Sequence, residues 1–310
     1  MKILFMGTPD FAAESLEKLY NSNHEIIGVV TNPDRPKGRG MKLAESPVKE
    51  FAVLKNIPVY QPQKVKENEE FLNDIKNMNP DIVCVVAYGK ILPKEILEIP
   101  KYGCINLHGS ILPKYRGSAP IQWAVLNGDK KTGVTTIYMN EQMDAGDMIL
   151  TRETEIGEYE TTGELWERLS TIGAELLLET VDRIEKGTAP RVPQEGDFTL
   201  APMLNREMSK IDWNTSAIDI KNLVYGLNPI IGAYTMYDEK KIKIWKLEIL
   251  EELSEKEPGT IIEADDKKGL KIETKDNVIF VTEIQGENAK RMPIGDFLRG
   301  NKLEVGKVLK

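Results

Sequence analysis

Thiol and imidazole side chains are scarce in this chain: 310 residues hold two cysteines, Cys84 and Cys104, and two histidines, His24 and His108. So few soft ligands leave no basis for a zinc centre, and two thiols inside apolar, strand-like segments read as free buried side chains rather than a disulfide framework. Long apolar runs are missing as well. No stretch approaches the roughly 20 residues that cross a bilayer. The opening Met1-Lys2-Ile3-Leu4-Phe5-Met6-Gly7-Thr8-Pro9 reads as a buried strand entering a helix, not as a secretory leader. A soluble cytoplasmic chain with no membrane partner is expected, with a monomer as the simplest state. Positive charge is also in deficit, 41 Lys and Arg against 49 Asp and Glu for a net −8. That balance argues against non-specific attachment to nucleic acid, so an RNA partner must meet a local basic patch.

What is present is alternation. Residues 2–6, 25–31, 81–87 and 104–108 are short apolar runs, of which Ile82-Val83-Cys84-Val85-Val86 is continuous, as strands covered on both faces are. Helices are expected from Pro9 and from Pro47, each proline preceded by a hydroxyl residue, Thr8 or Ser46, in capping position. The architecture implied is α/β with a mostly parallel, Rossmann-like sheet. A long amphipathic helix follows, with Thr161 and Glu164 spaced as a capping box, Leu165, Leu169, Ile172, Leu176 and Ile184 on one face, and Gly187 at its end. Residues 189–205 are rich in proline and poor in periodic apolar positions, which reads as a linker. Beyond it come a helix over 215–227 and five short alternating segments, 233–237, 241–250, 260–263, 270–273 and 278–284. These suggest a small antiparallel, OB-like barrel. The expected division is therefore 1–188, linker 189–205, and 206–310.

His24 sits in the polar turn Asn21-Ser22-Asn23-His24 and is expected at the surface. His108 ends an apolar strand whose alternation places Asn106 and His108 on one face at its carboxyl end, where open α/β sheets bind ligands. On these grounds alone a catalytic pair and a pair satisfied by hydrogen bonds at a strand end remain equally open.

Asn106, His108 and the following Ser110-Ile111-Leu112-Pro113 resemble the signature of the folate-dependent formyltransferases, with Ile111 in place of a leucine. Gln142-Met143-Asp144-Ala145-Gly146-Asp147 is similar to the same family's aspartate loop. The resemblance implies a catalytic set of Asn106, His108 and Asp144. It also implies 10-formyltetrahydrofolate as donor cosubstrate, bound by Ser110, Ile111, Leu112 and Pro113 together with Val86, Ala87, Tyr88 and Gly89, and no metal. The chemistry suits these groups. Attack of an amine on the formyl carbon builds charge on the formyl oxygen, which amide and imidazole N–H groups stabilise by about 2.7–4 kcal/mol per donor. A carboxylate orients the imidazole and helps remove the amine's proton.

The acceptor is a separate question, since the same core serves nucleotide, sugar and tRNA substrates. The segment 31–42, with Arg35, Lys37, Arg39 and Lys42 against the single acid Asp34, resembles the basic insertion of the formyltransferases that act on initiator methionyl-tRNA. Lys210-Ile211-Asp212-Trp213 is similar to the element that opens their C-terminal domain. The resemblance thus implies initiator methionyl-tRNA as partner, with Arg35, Lys37, Arg39 and Lys42 as its contacts. Barrel lysines 240, 241, 243 and 246 are further candidates. Two positions depart from the family pattern: Ile230 and Ile231 stand where Trp-Pro is common, and Met203 where a lysine is. Rival readings are formylation of an amino-sugar nucleotide, a nucleotide-binding module, and a non-catalytic tRNA-binding protein. Gly7-Thr8-Pro9 lacks the glycines of a dinucleotide fingerprint, and the last rival gives Asn106, His108 and Asp144 no reason to occur together.

Overall fold

The structure is a computed structural model that describes residues 1–37, 42–252 and 255–310, with the backbone alone at Lys37 and Lys42. In chain order the first part runs β1 (Lys2–Gly7), α1 (Asp10–Tyr20), β2 (Glu25–Val30), a ribbon of β3 (Arg35–Lys37) and β4 (Lys42–Ala44), α2 (Pro47–Leu54), β5 (Val59–Tyr60) and α3 (Glu69–Met78). It continues with β6 (Ile82–Val86), α4 (Lys94–Leu97), β7 (Cys104–His108), α5 (Pro120–Leu126), β8 (Lys131–Tyr138), β9 (Met148–Glu155) and α6 (Thr162–Glu185). The main sheet has the order β5-β2-β1-β6-β7-β8-β9. Its pairs from β5 to β7 are parallel, and β8 joins β7 antiparallel. Continuous apolarity in β1 and β6 follows from burial on both faces: residues 3–6 of β1 are fully buried, as are Ile82, Val83 and Cys84. The chain leaves β1 toward β2 and β5, then crosses to β6 and β7. The carboxyl ends beside that reversal, at Gly7, Val86 and Leu107, lie in register with one another.

Ser46 caps α2 as expected. Its Oγ accepts from Lys49 N–H at 3.1 Å and lies 2.7 Å from Thr31 Oγ1. Ser46→Ala should therefore lower stability by about 1 kcal/mol, read as a fall in the denaturant midpoint at unchanged m-value. Thr8 does otherwise than predicted. Pro9 takes the cap position of α1 with no side-chain cap, and Thr8 Oγ1 accepts from Asn32 Nδ2 at 3.0 Å. The capping box of α6 is present, Thr161 N–H donating to Glu164 Oε2 at 2.8 Å and Glu164 N–H to Thr161 Oγ1 at 3.2 Å.

His24 is a second correction. It is buried, with the Met1 amine 3.1 Å from Nδ1 and Asp182 of α6 2.9 Å from Nε2, so the polar turn around it conceals a side chain held by two charged partners. Cys84 and Cys104 are free, buried thiols, and burial pushes the Cys104 thiol up to about 12.

The chain divides into two compact units. The first takes residues 1–120, 132–154 and 166–202, and the second takes 121–131, 155–165 and 203–310. The second unit contains α7 (Ala217–Gly226), β10 (Ala233–Tyr237), β11 (Lys240–Leu250), β12 (Ile261–Asp265), β13 (Gly269–Glu273), β14 (Val278–Gln285), β15 (Met292–Pro293) and α8 (Ile294–Gly300). Its antiparallel strands follow the order β10-β11-β14-β13-β12. The last residues close this sheet. Met236 and Lys310 exchange both backbone hydrogen bonds at one edge, while Ile261 N–H donates to Lys307 O and Leu309 N–H to Gly259 O at the other. The result is the small antiparallel barrel that the alternation predicts. Within it Trp213 is buried, its Nε1 donating to Thr235 Oγ1 at 3.0 Å, and Ile211 N–H donates to Tyr234 O. No helix among the described residues is long and apolar enough to cross a membrane.

Candidate active site

Strand β7 delivers Asn106 and His108 to one face at its carboxyl end, as its period of two requires. Asp144 arrives from the turn between β8 and β9, in the left-handed region at φ 52°, a conformation Asp tolerates better than most side chains. Gly146, two residues on, has no room for a side chain, because a Cβ there would stand 1.7 Å from Tyr138 O. The three polar side chains meet. Asn106 Nδ2 donates to Asp144 Oδ1 at 3.3 Å, and His108 Nδ1 is 3.6 Å from Asp144 Oδ2. Gly117 N–H donates to the same Oδ2 at 2.9 Å.

The histidine's tautomer is set by its other nitrogen. Nε2 lies 2.8 Å from Tyr115 O, which can only accept, so Nε2 carries a proton. Nδ1 is left to face Asp144 and any incoming group. His108 is 5% exposed, and Nδ1 is the ring nitrogen not committed to Tyr115.

The loop after β7 is pinned from below. Thr135 Oγ1 donates to Ser110 O at 2.7 Å and accepts from Leu112 N–H at 3.3 Å, and Ser110 Oγ donates to Lys114 O at 2.6 Å. The Leu112–Pro113 bond is cis. Tyr115, at φ 64°, turns its carbonyl toward His108. Of the residues expected to hold the donor, Val86, Tyr88, Ser110 and Leu112 are buried and form the frame, whereas Ile111 and Pro113 are partly exposed and Ala87 and Gly89 exposed. Ala87 and Gly89 both have positive φ, which carries the chain abruptly out of β6 beside the end of β7. Burial pushes the Tyr88 hydroxyl up to about 12, and Asn32 Nδ2 donates to the Tyr88 carbonyl.

The basic ribbon starts next to this region. Asp34 does not neutralise it. Its carboxylate takes Lys49 Nζ at 2.6 Å and Gln61 Nε2 at 2.8 Å, and these bonds, Lys49 first, hold it below the usual carboxylate range. Arg35 is exposed, and its charge adds to burial in lowering the Lys90 ammonium. Lys37 and Lys42 are backbone register partners in the β3–β4 pairing, and Arg39 lies outside the described residues. On the barrel, Lys241 stacks on Tyr234, Lys243 donates to Ile231 O, and Lys246 approaches Glu164 at 3.9 Å. Met203 and Ile230, the positions that depart from the family pattern, are exposed.

Sequence reasoning missed the residues that hold the loops around Asn106, His108 and Asp144. Residues 190–202 run along them. Val192 exchanges backbone hydrogen bonds with Met148, Arg116 N–H donates to Thr199 O, and Ala201 N–H donates to Arg116 O. Gly117, at φ 129°, approaches so closely that a Cβ would stand 2.6 Å from Ala201 O. A signal for this in the sequence is faint: the stretch lacks periodicity because it pairs through its backbone.

Comparison with known proteins agrees with this geometry. Residues 1–181 match the formyl transferase family and residues 203–302 its C-terminal domain. A methionyl-tRNA formyltransferase of Clostridioides difficile is 54% identical over 310 residues, all of both chains. One from Alkaliphilus oremlandii is 49% identical, covering all of this chain and 99% of the relative. Among solved structures, an N-formyltransferase from Helicobacter canadensis in complex with folinic acid and dTDP-3-aminofucose aligns with TM-score 0.67 at 18% identity, over 93% of this chain and all of that one. At that identity the likeness is one of fold.

Proposed function

We infer that this chain, which belongs to the formyl transferase family over both of its domains, moves the formyl group of 10-formyltetrahydrofolate to the α-amino group of methionyl-initiator tRNA, the step that prepares methionine for translation initiation. The observation that carries the chemistry is the convergence of Asn106, His108 and Asp144, with the His108 Nε2 proton committed to Tyr115 O. The amine must be neutral to attack, and Asp144 is the base placed to accept its proton. As the tetrahedral centre forms, the second N–H of Asn106 Nδ2 and a protonated His108 Nδ1 serve the developing oxyanion. Collapse expels the folate nitrogen, which takes a proton from the same His108. The amine is itself the nucleophile, so these residues need form no covalent intermediate. A folate donor also accords with the folinic acid bound by the Helicobacter canadensis protein. Donor binding by 86–89 and 110–113 uses a frame of buried side chains around an exposed, sharply turned backbone.

The acceptor assignment draws on the full-length likeness to methionyl-tRNA formyltransferases and on the ribbon at Arg35–Lys37, where the adjacent Asp34 is spent on Lys49. Phosphate contacts position a nucleic acid without reading its sequence. Arg35→Ala and Lys42→Ala should therefore weaken tRNA binding at low salt, each reducing the slope of log K against log salt by about 1, with donor binding unchanged. The reading is tested by incubating the enzyme with donor and charged initiator tRNA, then releasing the amino acid in mild alkali for mass spectrometry. N-formylmethionine is expected, and free methionine alone would contradict it.

A further inference from the structure

The Asp144 turn is an unfavourable piece of backbone. Asp144 sits at φ 52° and Gly146 abuts Tyr138 O. Gln194 holds two of the turn's carbonyls. Its Nε2 donates to both Asp144 O and Gly146 O at 2.8 Å, while its Oε1 accepts from Arg116 Nε at 3.1 Å and Arg116 Nη2 at 2.8 Å. One amide thereby uses two donors and two acceptor sites. It joins the two loops that define the site, the 115–117 loop that fixes His108 and receives Asp144 Oδ2, and the turn that carries Asp144. Arg116 in turn lies over the Phe198 ring at 4.6 Å, so the brace is anchored at both ends within residues 190–202.

We propose that Gln194 is a positioning residue for formyl transfer, holding Asp144 at its working distance from Asn106 and His108 through the two carbonyls of the Asp144 turn. Its side-chain hydrogen bonds go to Arg116 and to the carbonyls of Asp144 and Gly146. The inference rests on the reading of Asn106, His108 and Asp144 as the catalytic set. Glutamine is the side chain required. Glutamate keeps an acceptor for Arg116 but turns oxygen toward two carbonyl oxygens, and asparagine is one carbon short.

The test uses the full-length protein with Gln194→Ala and Gln194→Glu, each alone and in an Asp144→Asn background. Misplacement of the base by about 1 Å should lower kcat by about 10²-fold in both single variants, with KM for the donor within about twofold of wild type. In the Asp144→Asn background the same changes should cost less than about twofold, because residues acting through one group are not additive. Equal losses in the two backgrounds would overturn the proposal, and so would a Glu variant as active as wild type, which would reduce Gln194 to a partner for Arg116. A second readout needs no substrate. The chain has two histidines, so its imidazole nitrogens give a simple NMR spectrum. The His108 signals should shift in both Gln194 variants while those of His24 stay fixed. Unmoved His108 signals would sink the brace whatever the acceptor, whereas absence of transfer by the wild-type enzyme would sink the functional reading and leave the spectra to decide the brace.

Discussion

Replacing Asn106 with alanine is expected to reduce kcat by about 10²–10³-fold, the effect of removing one donor from a developing oxyanion, while donor affinity stays within about twofold of wild type. Asn106 Nδ2 gives one N–H to Asp144 Oδ1, and His108 Nδ1 lies 3.6 Å from the other oxygen of the same carboxylate. An interaction made only as charge develops lowers kcat and kcat/KM together and leaves ground-state binding alone. In the proposed roles His108 is the second donor and the acid for the leaving nitrogen, so the loss in His108→Ala should be at least as large. Because the two act on one oxygen, the double variant should fall short of the product of the single effects. Stopped-flow measurement of a single turnover with charged tRNA, beside equilibrium titration of the folate, separates the two quantities. A rise in donor Kd that matches the fall in rate would reassign both residues to binding.

Gly146→Ala is the second large effect expected. A Cβ at that position would lie 1.7 Å from the Tyr138 carbonyl oxygen, a backbone atom that cannot swing aside as a side chain does. Either β8 or the Asp144 turn must move. Overpacking of this kind costs about 1–3 kcal/mol of stability, and a shift of about 1 Å at Asp144 costs about 10²-fold in turnover. Gly187→Ala provides the control. It has φ 69° and nothing within 4 Å of an added Cβ, so it carries only the left-handed backbone penalty of about 1–2 kcal/mol and should leave kcat unchanged. Thermal melts with initial rates distinguish them, and full activity in a folded Gly146→Ala variant would show that the turn does not depend on that close approach.

Much of the fold was legible because two strong physical periods were written into it. Buried strands β1 and β6 are continuous apolar runs, and the barrel strands begin and end within a few residues of their predicted bounds, since a half-buried sheet must alternate. The edge of the main sheet was not legible. Strand β8 opens Lys131-Thr132-Gly133, and a glycine inside a strand reads as a break. Here it allows close approach, since a Cβ on Gly133 would stand 2.2 Å from Arg152 O in β9. His24 was misread because its neighbours in sequence are polar while its partners, the Met1 amine and Asp182, come from distant parts of the chain.

The site divides in the same way. Asn106 and His108 could be placed on one face from strand period alone, and Asp144 entered through resemblance. The structure brings all three together. Gln194 left no trace in the pattern because its role depends on two loops that meet only in three dimensions, 50 and 78 residues away in sequence from Asp144 and Arg116. Long-range hydrogen bonds from irregular segments have no periodicity to betray them.

The most direct test of the account is a competition for one formyl group. Radiolabelled 10-formyltetrahydrofolate is supplied with charged initiator methionyl-tRNA, glycinamide ribonucleotide and an amino-sugar nucleotide together, and the label is followed. The account predicts label on the methionine of the tRNA and on neither small acceptor. Label on a small acceptor would preserve the Asn106, His108 and Asp144 chemistry and contradict the assignment of the acceptor.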